Sequence, residues 1–296
     1  MKFVGYQQGD RRQLGILVED GRQLVPLTAA LPAGALPDGA GLTELIESWD
    51  VLGDKLHLDG ADRIPVTAVE LTAPIPTPRR NVFCVGRNYR EHAEEFGRSG
   101  YDSPGGTSHQ PDAPVVFTKP PSTVIGPGAD IDPHTDITGE LDYEAELGVI
   151  IGRGGRGIST AAALDHVWGY TIINDVTARD LQKVHKQWFL GKSLDTFCPM
   201  GPYASTADEV GDGPLDISCT VNGEVRQQAS TADLIFDIPT IIATISAGIT
   251  LQPGDVIATG TPAGVGIGFR PPRFLTSGDV VEISITGLGT LTNRVA

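Results

Sequence analysis

Glu144 and Glu146 stand one residue apart in Leu141-Asp142-Tyr143-Glu144-Ala145-Glu146-Leu147-Gly148-Val149-Ile150-Ile151. In an extended strand, residues i and i+2 project to the same face. The two carboxylates therefore point together, and Tyr143, Ala145 and Leu147 point the other way. An isolated Glu-x-Glu is most simply the solvated face of an edge strand. Here the strand runs on into Val-Ile-Ile, as a buried strand does, and two buried unpaired carboxylates are costly. A divalent cation removes both the burial cost and the repulsion. A second apolar strand, Gly169-Tyr170-Thr171-Ile172-Ile173, ends in Asn174-Asp175, so Asp175 sits where a strand end delivers a side chain. Three oxygen ligands, with no Cys or clustered His, select a hard ion: Mg²⁺ first, then Mn²⁺ or Ca²⁺.

Three further residues fit such a centre. If the stretch after Asp175 is helical, Arg179 and Gln182 share one face at i, i+3. An arginine there could clamp a substrate carboxylate with two parallel hydrogen bonds; the simpler alternative is an exposed Asp175–Arg179 helix pair. Lys192 lies among apolar and small residues in Phe189-Leu190-Gly191-Lys192-Ser193. It reads either as a cation facing the site or as a surface lysine whose stem covers apolar neighbours. His92 and Glu95 also stand at i, i+3 on a short predicted helix. Glu95 could orient His92, and His92 could deprotonate water; otherwise they are an ordinary surface pair.

These residues need a scaffold. Residues 1–72 read as a small N-terminal α/β unit, with an Asp20-Gly21 hairpin and a helix over 42–49. A proline-rich connector follows at 73–79. Residues 80–296 carry predicted strands at 81–85, 115–119, 144–151, 169–173, 217–221, 256–259 and 280–285, and an Asn222-Gly223 hairpin turn. Helices are predicted at 89–96, 160–164, 177–186 and 238–247. Residues 97–112 have no periodicity and read as a lid-like loop. The regular βα alternation of a parallel sheet is missing. The expected fold class is α+β and β-rich: a mixed β-sandwich roll with a small N-terminal α/β domain.

Composition narrows the function. The 296 residues carry 22 Lys+Arg against 37 Asp+Glu, a net charge of −15. No basic patch is available to displace counterions from phosphates, which argues against nucleic acid. No apolar run is long enough to span a membrane, and the N-terminus has no signal-peptide h-region. The three cysteines, Cys84, Cys198 and Cys219, have neither disulfide nor zinc spacing. A cytoplasmic protein is expected. Gly152-Arg153-Gly154-Gly155-Arg156-Gly157 matches a dinucleotide fingerprint, but the carboxylate-bearing strand before it is a poor neighbour for pyrophosphate. A tight glycine-rich turn is the simpler reading.

Six segments in order resemble the fumarylacetoacetate hydrolase family: Val85-Gly86-Arg87-Asn88-Tyr89-Arg90-Glu91-His92-Ala93-Glu94-Glu95, Phe117-Thr118-Lys119-Pro120, Asp142 to Gly148, Asn174 to Asp180, Gly191-Lys192-Ser193 and Ala258-Thr259-Gly260-Thr261-Pro262. Together they cover about residues 80–296, and the tail looks most like the domain-containing branch with acylpyruvase and oxaloacetate decarboxylase members. The resemblance implies a β-roll catalytic domain, a homodimer, and one Mg²⁺ or Mn²⁺ per subunit on Glu144, Glu146 and Asp175. It implies Arg179, Gln182, Tyr89, Lys119 and Thr259 around the substrate, with His92, Glu95 and Lys192 catalytic. The expected activity is hydrolysis of a C–C bond in a 2,4-diketo acid through a metal-stabilised enolate. Oxaloacetate decarboxylation and keto–enol tautomerisation are the alternatives in the same pocket. A metal-stabilised β module without turnover is a third class, and His92, Glu95 and Lys192 standing in motif argue against it.

Overall fold

A computed structural model of the chain describes residues 1–99 and 111–296. Its centre is the strand Ala145–Ile151, in which every residue is buried. That strand pairs antiparallel with Val167–Asn174 on one edge and with Val256–Ala258 on the other. A strand covered on both faces and both edges needs an unbroken apolar run, which is how Ala-Glu-Leu-Gly-Val-Ile-Ile reads apart from Glu146. The neighbour Val256–Ala258 pairs parallel with Val82–Gly86, which pairs antiparallel with Val115–Lys119. Beyond Val167–Asn174, the sheet continues through Cys198–Thr206 to Lys2–Gln8 and then Arg11–Val18 and Gln23–Pro26. Among the described residues the large sheet has 12 strands.

Residues 1–72 thus share the sheet of the later chain, through Lys2↔Ser205 and Phe3↔Ala204. Phe3, Leu14, Val25 and Leu45 pack in one cluster with Ile150, Ile173 and Met200, and connector residues Ala73 and Ile75 are buried in it. A four-stranded sheet of Asp216–Val221, Glu224–Ser230, Val280–Ile285 and Gly289–Arg294 supplies Ile217, Val281 and Leu291 to a second core with Leu147 and Ile172. Helix Ile238–Ser246 supplies Ile241, Ile242 and Ile245 to a third core with Val149 and Ile151. This is the strand-rich α+β fold expected, open rather than closed into a barrel. Among the described residues, no helix is long and apolar enough to cross a membrane. All three cysteines are free and buried.

Several local boundaries differ from the sequence pattern for identifiable reasons. The central strand starts at Ala145, not Glu144. The helix after Asp175 starts at Arg179, because Thr177 and Ala178 pair with Asp142 and Leu141 first. The helix expected over 42–49 is two short ones, Leu42–Glu47 and Trp49–Leu52. The Asn222-Gly223 turn is present, with φ of +53° and +77°, the paired left-handed conformations of a tight hairpin. Gly152 to Gly157 leads into the 3₁₀ turn Thr160–His166 rather than an α-helix, so the fingerprint lacks the helix N-terminus that binds a pyrophosphate. The lid expected at 97–112 falls mostly on residues outside those described.

Candidate metal centre

Strand pairing builds the site. Register Ala145↔Asn174 sets Glu146 beside the end of the neighbouring strand. Just beyond the pairing, the Asp175 N–H donates to the Glu144 carbonyl at 2.9 Å. The Glu144 N–H donates to Asn174 Oδ1 at 3.1 Å. One carboxylate oxygen from each of Glu144, Glu146 and Asp175 lies within 4.8 Å of the other two. All three side chains are buried, at 4 %, 1 % and 0 % exposure respectively. The solvated-edge alternative therefore does not describe this pair.

Two of the three carboxylates are already neutralised by the protein. Lys192 Nζ lies 2.8 Å from Glu144 Oε2 and 2.7 Å from Asp175 Oδ2. Lys119 Nζ lies 2.6 Å from Asp175 Oδ1 and donates to the Val176 carbonyl. Arg179 Nη2 ion-pairs with Glu144 Oε1 at 2.7 Å, and its Nε donates to Asp142 Oδ2 at 2.8 Å. Glu146 is different. Among the described residues it has no ion pair, and its Oε2 accepts only the Gly260 N–H, at 2.7 Å.

The titration behaviour follows. Burial works against ionisation of Glu144, but Lys192 and Arg179 overcome it and bring its pKa down to about 2. Burial, then the charges of Asp175 and Glu144, push Glu146 well above the usual carboxylate range. Burial also opposes the Lys192 charge, yet Asp175 and Glu144 raise its pKa and hold it protonated. A buried carboxylate flanked by two others and lacking a cation fits a divalent ion with oxygen ligands. Glu144, Glu146 and Asp175 are the residues that could hold it.

The lysine is seated by a close approach. Helix Phe189–Lys192 lies against helix Arg179–His185 through Gly191, where a Cβ would fall 2.7 Å from the Gln182 nitrogen. Gln182 in turn accepts from Arg179 Nη1 at 3.1 Å. Across the cavity, His92 Nδ1 and Glu95 Oε2 are 3.2 Å apart on helix Arg90–Ser99. Glu95 also accepts the Gly264 N–H at 3.0 Å. It packs so tightly on Gly268 that a Cβ there would lie 1.8 Å from Glu95 Oε1. His92 lines the same cavity as Glu144, Glu146, Arg179, Gln182 and Lys192. Phe96, Phe117 and Trp188 form its apolar wall.

Not every candidate lies where its motif suggests. The Thr259 hydroxyl is spent on the Leu147 carbonyl at 3.1 Å, and Thr261 lines the cavity instead. Lys119 is fully buried behind Asp175 and so braces that carboxylate. Arg179 is fully buried; its Nε and Nη1 donate to Asp142 and Gln182, whereas its Nη2 ion-pairs with Glu144 and makes no hydrogen bond among the described residues. Tyr89 faces a separate cavity with Asp233 and Leu234. Two supporting residues escape sequence reading. Gln227 accepts the Ala145 N–H at 3.0 Å and donates to Thr261 Oγ1 at 2.8 Å. Asn88 donates to the Thr259 carbonyl at 2.8 Å. Asn88 stands in the quoted Gly-Arg-Asn-Tyr motif, a signal that could have found it; Gln227 lies on a hairpin with no local pattern.

The family model described as fumarylacetoacetate (FAA) hydrolase C-terminal matches residues 81–296. Oxaloacetate tautomerase YisK of Bacillus subtilis is 51 % identical over 237 residues, which is 80 % of this chain and 76 % of that protein. A fumarylacetoacetate hydrolase structure from psychrophilic Exiguobacterium antarcticum is 43 % identical with a TM-score of 0.85, covering 100 % of this chain and 99 % of that one. A maleylpyruvate hydrolase from Sphingobium sp. SYK-6, in complex with manganese(II) ion and pyruvate, is 32 % identical with a TM-score of 0.78, covering 100 % of this chain and 99 % of its own. The chain belongs to the fumarylacetoacetate hydrolase family of enzymes, whose members here act on keto acids.

Proposed function

We propose that this protein is a divalent-metal-dependent enzyme that interconverts the keto and enol forms of a short 2-keto acid of the oxaloacetate type. The observation that carries this reading is Glu146, a buried carboxylate with no cationic partner among the described residues, beside two that have one. The sequence alone favours C–C hydrolysis; the 51 % identity to an oxaloacetate tautomerase moves tautomerisation first. Hydrolysis of a 2,4-diketo acid stays as the second reading, because His92 and Glu95 are already assembled as a pair that could activate water.

When bound, the cation supplies Lewis-acid stabilisation of the negative charge that develops on a keto-acid oxygen. The protein's own residues do the rest. Lys192, kept charged by its carboxylates, places a second positive group beside that oxygen. Glu95 holds His92 by Nδ1, which leaves Nε2 to exchange the proton with the substrate carbon next to the carbonyl. In hydrolysis the same nitrogen takes a proton from water. Phe96, Phe117 and Trp188 keep bulk water from this exchange. Magnesium and manganese both suit the oxygen ligands, and the Sphingobium relative makes manganese the first to test.

The test is an ultraviolet assay of enol-oxaloacetate decay beside an acylpyruvate, a fumarylpyruvate and an oxaloacetate decarboxylation assay, each with Mn²⁺, Mg²⁺ or EDTA. Faster metal-dependent ketonisation of oxaloacetate supports the first reading. Acylpyruvate or fumarylpyruvate cleavage without tautomerisation replaces it with the second. No turnover of any of them overturns both.

A further inference from the structure

Asp142 stands outside the carboxylate cluster, yet it is fully buried. Its Oδ1 accepts the N–H groups of Tyr143 at 2.9 Å and Gly266 at 2.6 Å. Its Oδ2 accepts Arg179 Nε at 2.8 Å and the Ile267 N–H at 3.2 Å. These donors come from two directions. Arg179 is the residue that ion-pairs with Glu144 at 2.7 Å. Gly266 and Ile267 belong to the loop 264–268, whose Gly264 N–H donates to the Glu95 carboxylate and whose Gly268 leaves room for it, since a Cβ there would meet Glu95 Oε1. The Tyr143 hydroxyl donates to the Gly264 carbonyl at 2.9 Å, tying the same loop to the same strand end. A carboxylate that accepts four donors inside the protein is held strongly and stiffly.

We propose that Asp142 is a positioning residue that fixes the His92–Glu95 pair relative to the carboxylate cluster. It acts through Arg179 on one side and through the 264–268 loop on the other, and it touches no reacting atom. A neutral side chain at 142 loosens both sides, since Arg179 and Ile267 both donate to Oδ2. Asparagine keeps one oxygen for Gly266 but turns an NH₂ group toward Arg179 and Ile267, where donor would face donor. The role rests on His92 being the proton-exchanging group, so its test is read on binding and spectra as well as on turnover.

The variant is Asp142→Asn in the full-length protein. Mn²⁺ affinity, measured by electron paramagnetic resonance, is expected to fall at least about 10-fold, the scale of lost ligand support. The His92 imidazole resonance of the Mg²⁺-loaded protein, assigned by its loss in His92→Gln, is expected to move. Turnover should fall mainly in kcat, with KM changed less than about threefold, as for a loss felt only in the transition state. Both binding and resonance unchanged would overturn the proposal. A change on one side alone would also overturn it, since Asp142 would then brace only that side. If Asp142→Asn does not fold, Gly266→Ala carries the same readouts, because its Cβ would lie 2.7 Å from Asp142 Oδ1. Failure of the keto-acid reading looks different: the parent turns over no keto acid, yet both spectroscopic shifts persist.

Discussion

Glu146 leaves a strand that is paired on both edges and buried along its whole length. Glu95 leaves a helix whose Arg90, Glu91 and Glu94 are exposed, and its carboxylate rests on a loop. Around the carboxylates, Lys119, Lys192 and Arg179 are fixed cations in the protein interior. Around the His92–Glu95 pair, support comes from the Gly264 backbone N–H and from Phe96 packing on Val265 and Ile267. One half of the pocket is thus set by sheet register and charge, the other by a short loop pressed under a helix. The first should govern metal affinity and the second proton transfer, and substitutions can separate them.

Removing the cationless carboxylate should have the largest effect. Glu146→Ala is expected to weaken Mn²⁺ binding by more than the 10–100-fold typical of losing outer support, and to abolish turnover; isothermal titration checks the first. Full activity with metal still bound would remove Glu146 from the centre. On the other side, His92→Ala is expected to lower kcat about 10²–10⁴-fold, the scale of general acid–base catalysis, while Mn²⁺ affinity stays within about twofold. If hydrolysis is an activity, it should suffer more than decarboxylation, because only hydrolysis needs activated water. A large loss of metal affinity in His92→Ala would erase the distinction between the two sides.

A smaller effect should appear with pH. Glu146 is held above its ordinary value of 4.5 by burial and by Asp175 and Glu144, so the proton is bound more tightly in the folded metal-free protein than in the unfolded chain. Its contribution therefore favours the fold at low pH and is lost as pH rises from about 4.5 through the raised folded pKa. Glu144, lowered to about 2, runs the other way: its stabilisation is present above 4.5 and lost as pH falls toward 2. A cation held by Glu146 would displace that proton. The rise in Tm on adding Mn²⁺ should accordingly grow with pH by scanning calorimetry, and a rise independent of pH would contradict it. The smallest effect concerns two threonines. Thr259→Val should cost about 1 kcal/mol of stability, one buried hydrogen bond, with KM unchanged, whereas Thr261→Val should change KM.

Much of the site was legible because strands impose period two. Glu-x-Glu running into Val-Ile-Ile, and an acid at the next apolar strand's end, suffice to bring three carboxylates together. Spacing on one helix likewise placed His92 against Glu95. What escaped depends on contacts between distant segments. Thr259 and Thr261 cannot be told apart until strand Val256–Ala258 is seen beside Leu147. The anchoring of Arg179 cannot be read until Asp142, pulled close by the Thr177↔Asp142 bridge, is seen to take its Nε. The early start of a predicted helix at residue 177 failed for the same reason, since a two-residue bridge outweighs local helix preference.

The most direct test is metal stoichiometry coupled to activity. After dialysis against EDTA, the parent protein should bind one Mn²⁺ per chain and recover oxaloacetate ketonisation in proportion to the ion added, while Glu146→Gln should do neither. Full ketonisation by the metal-stripped protein would contradict a divalent centre on Glu144, Glu146 and Asp175.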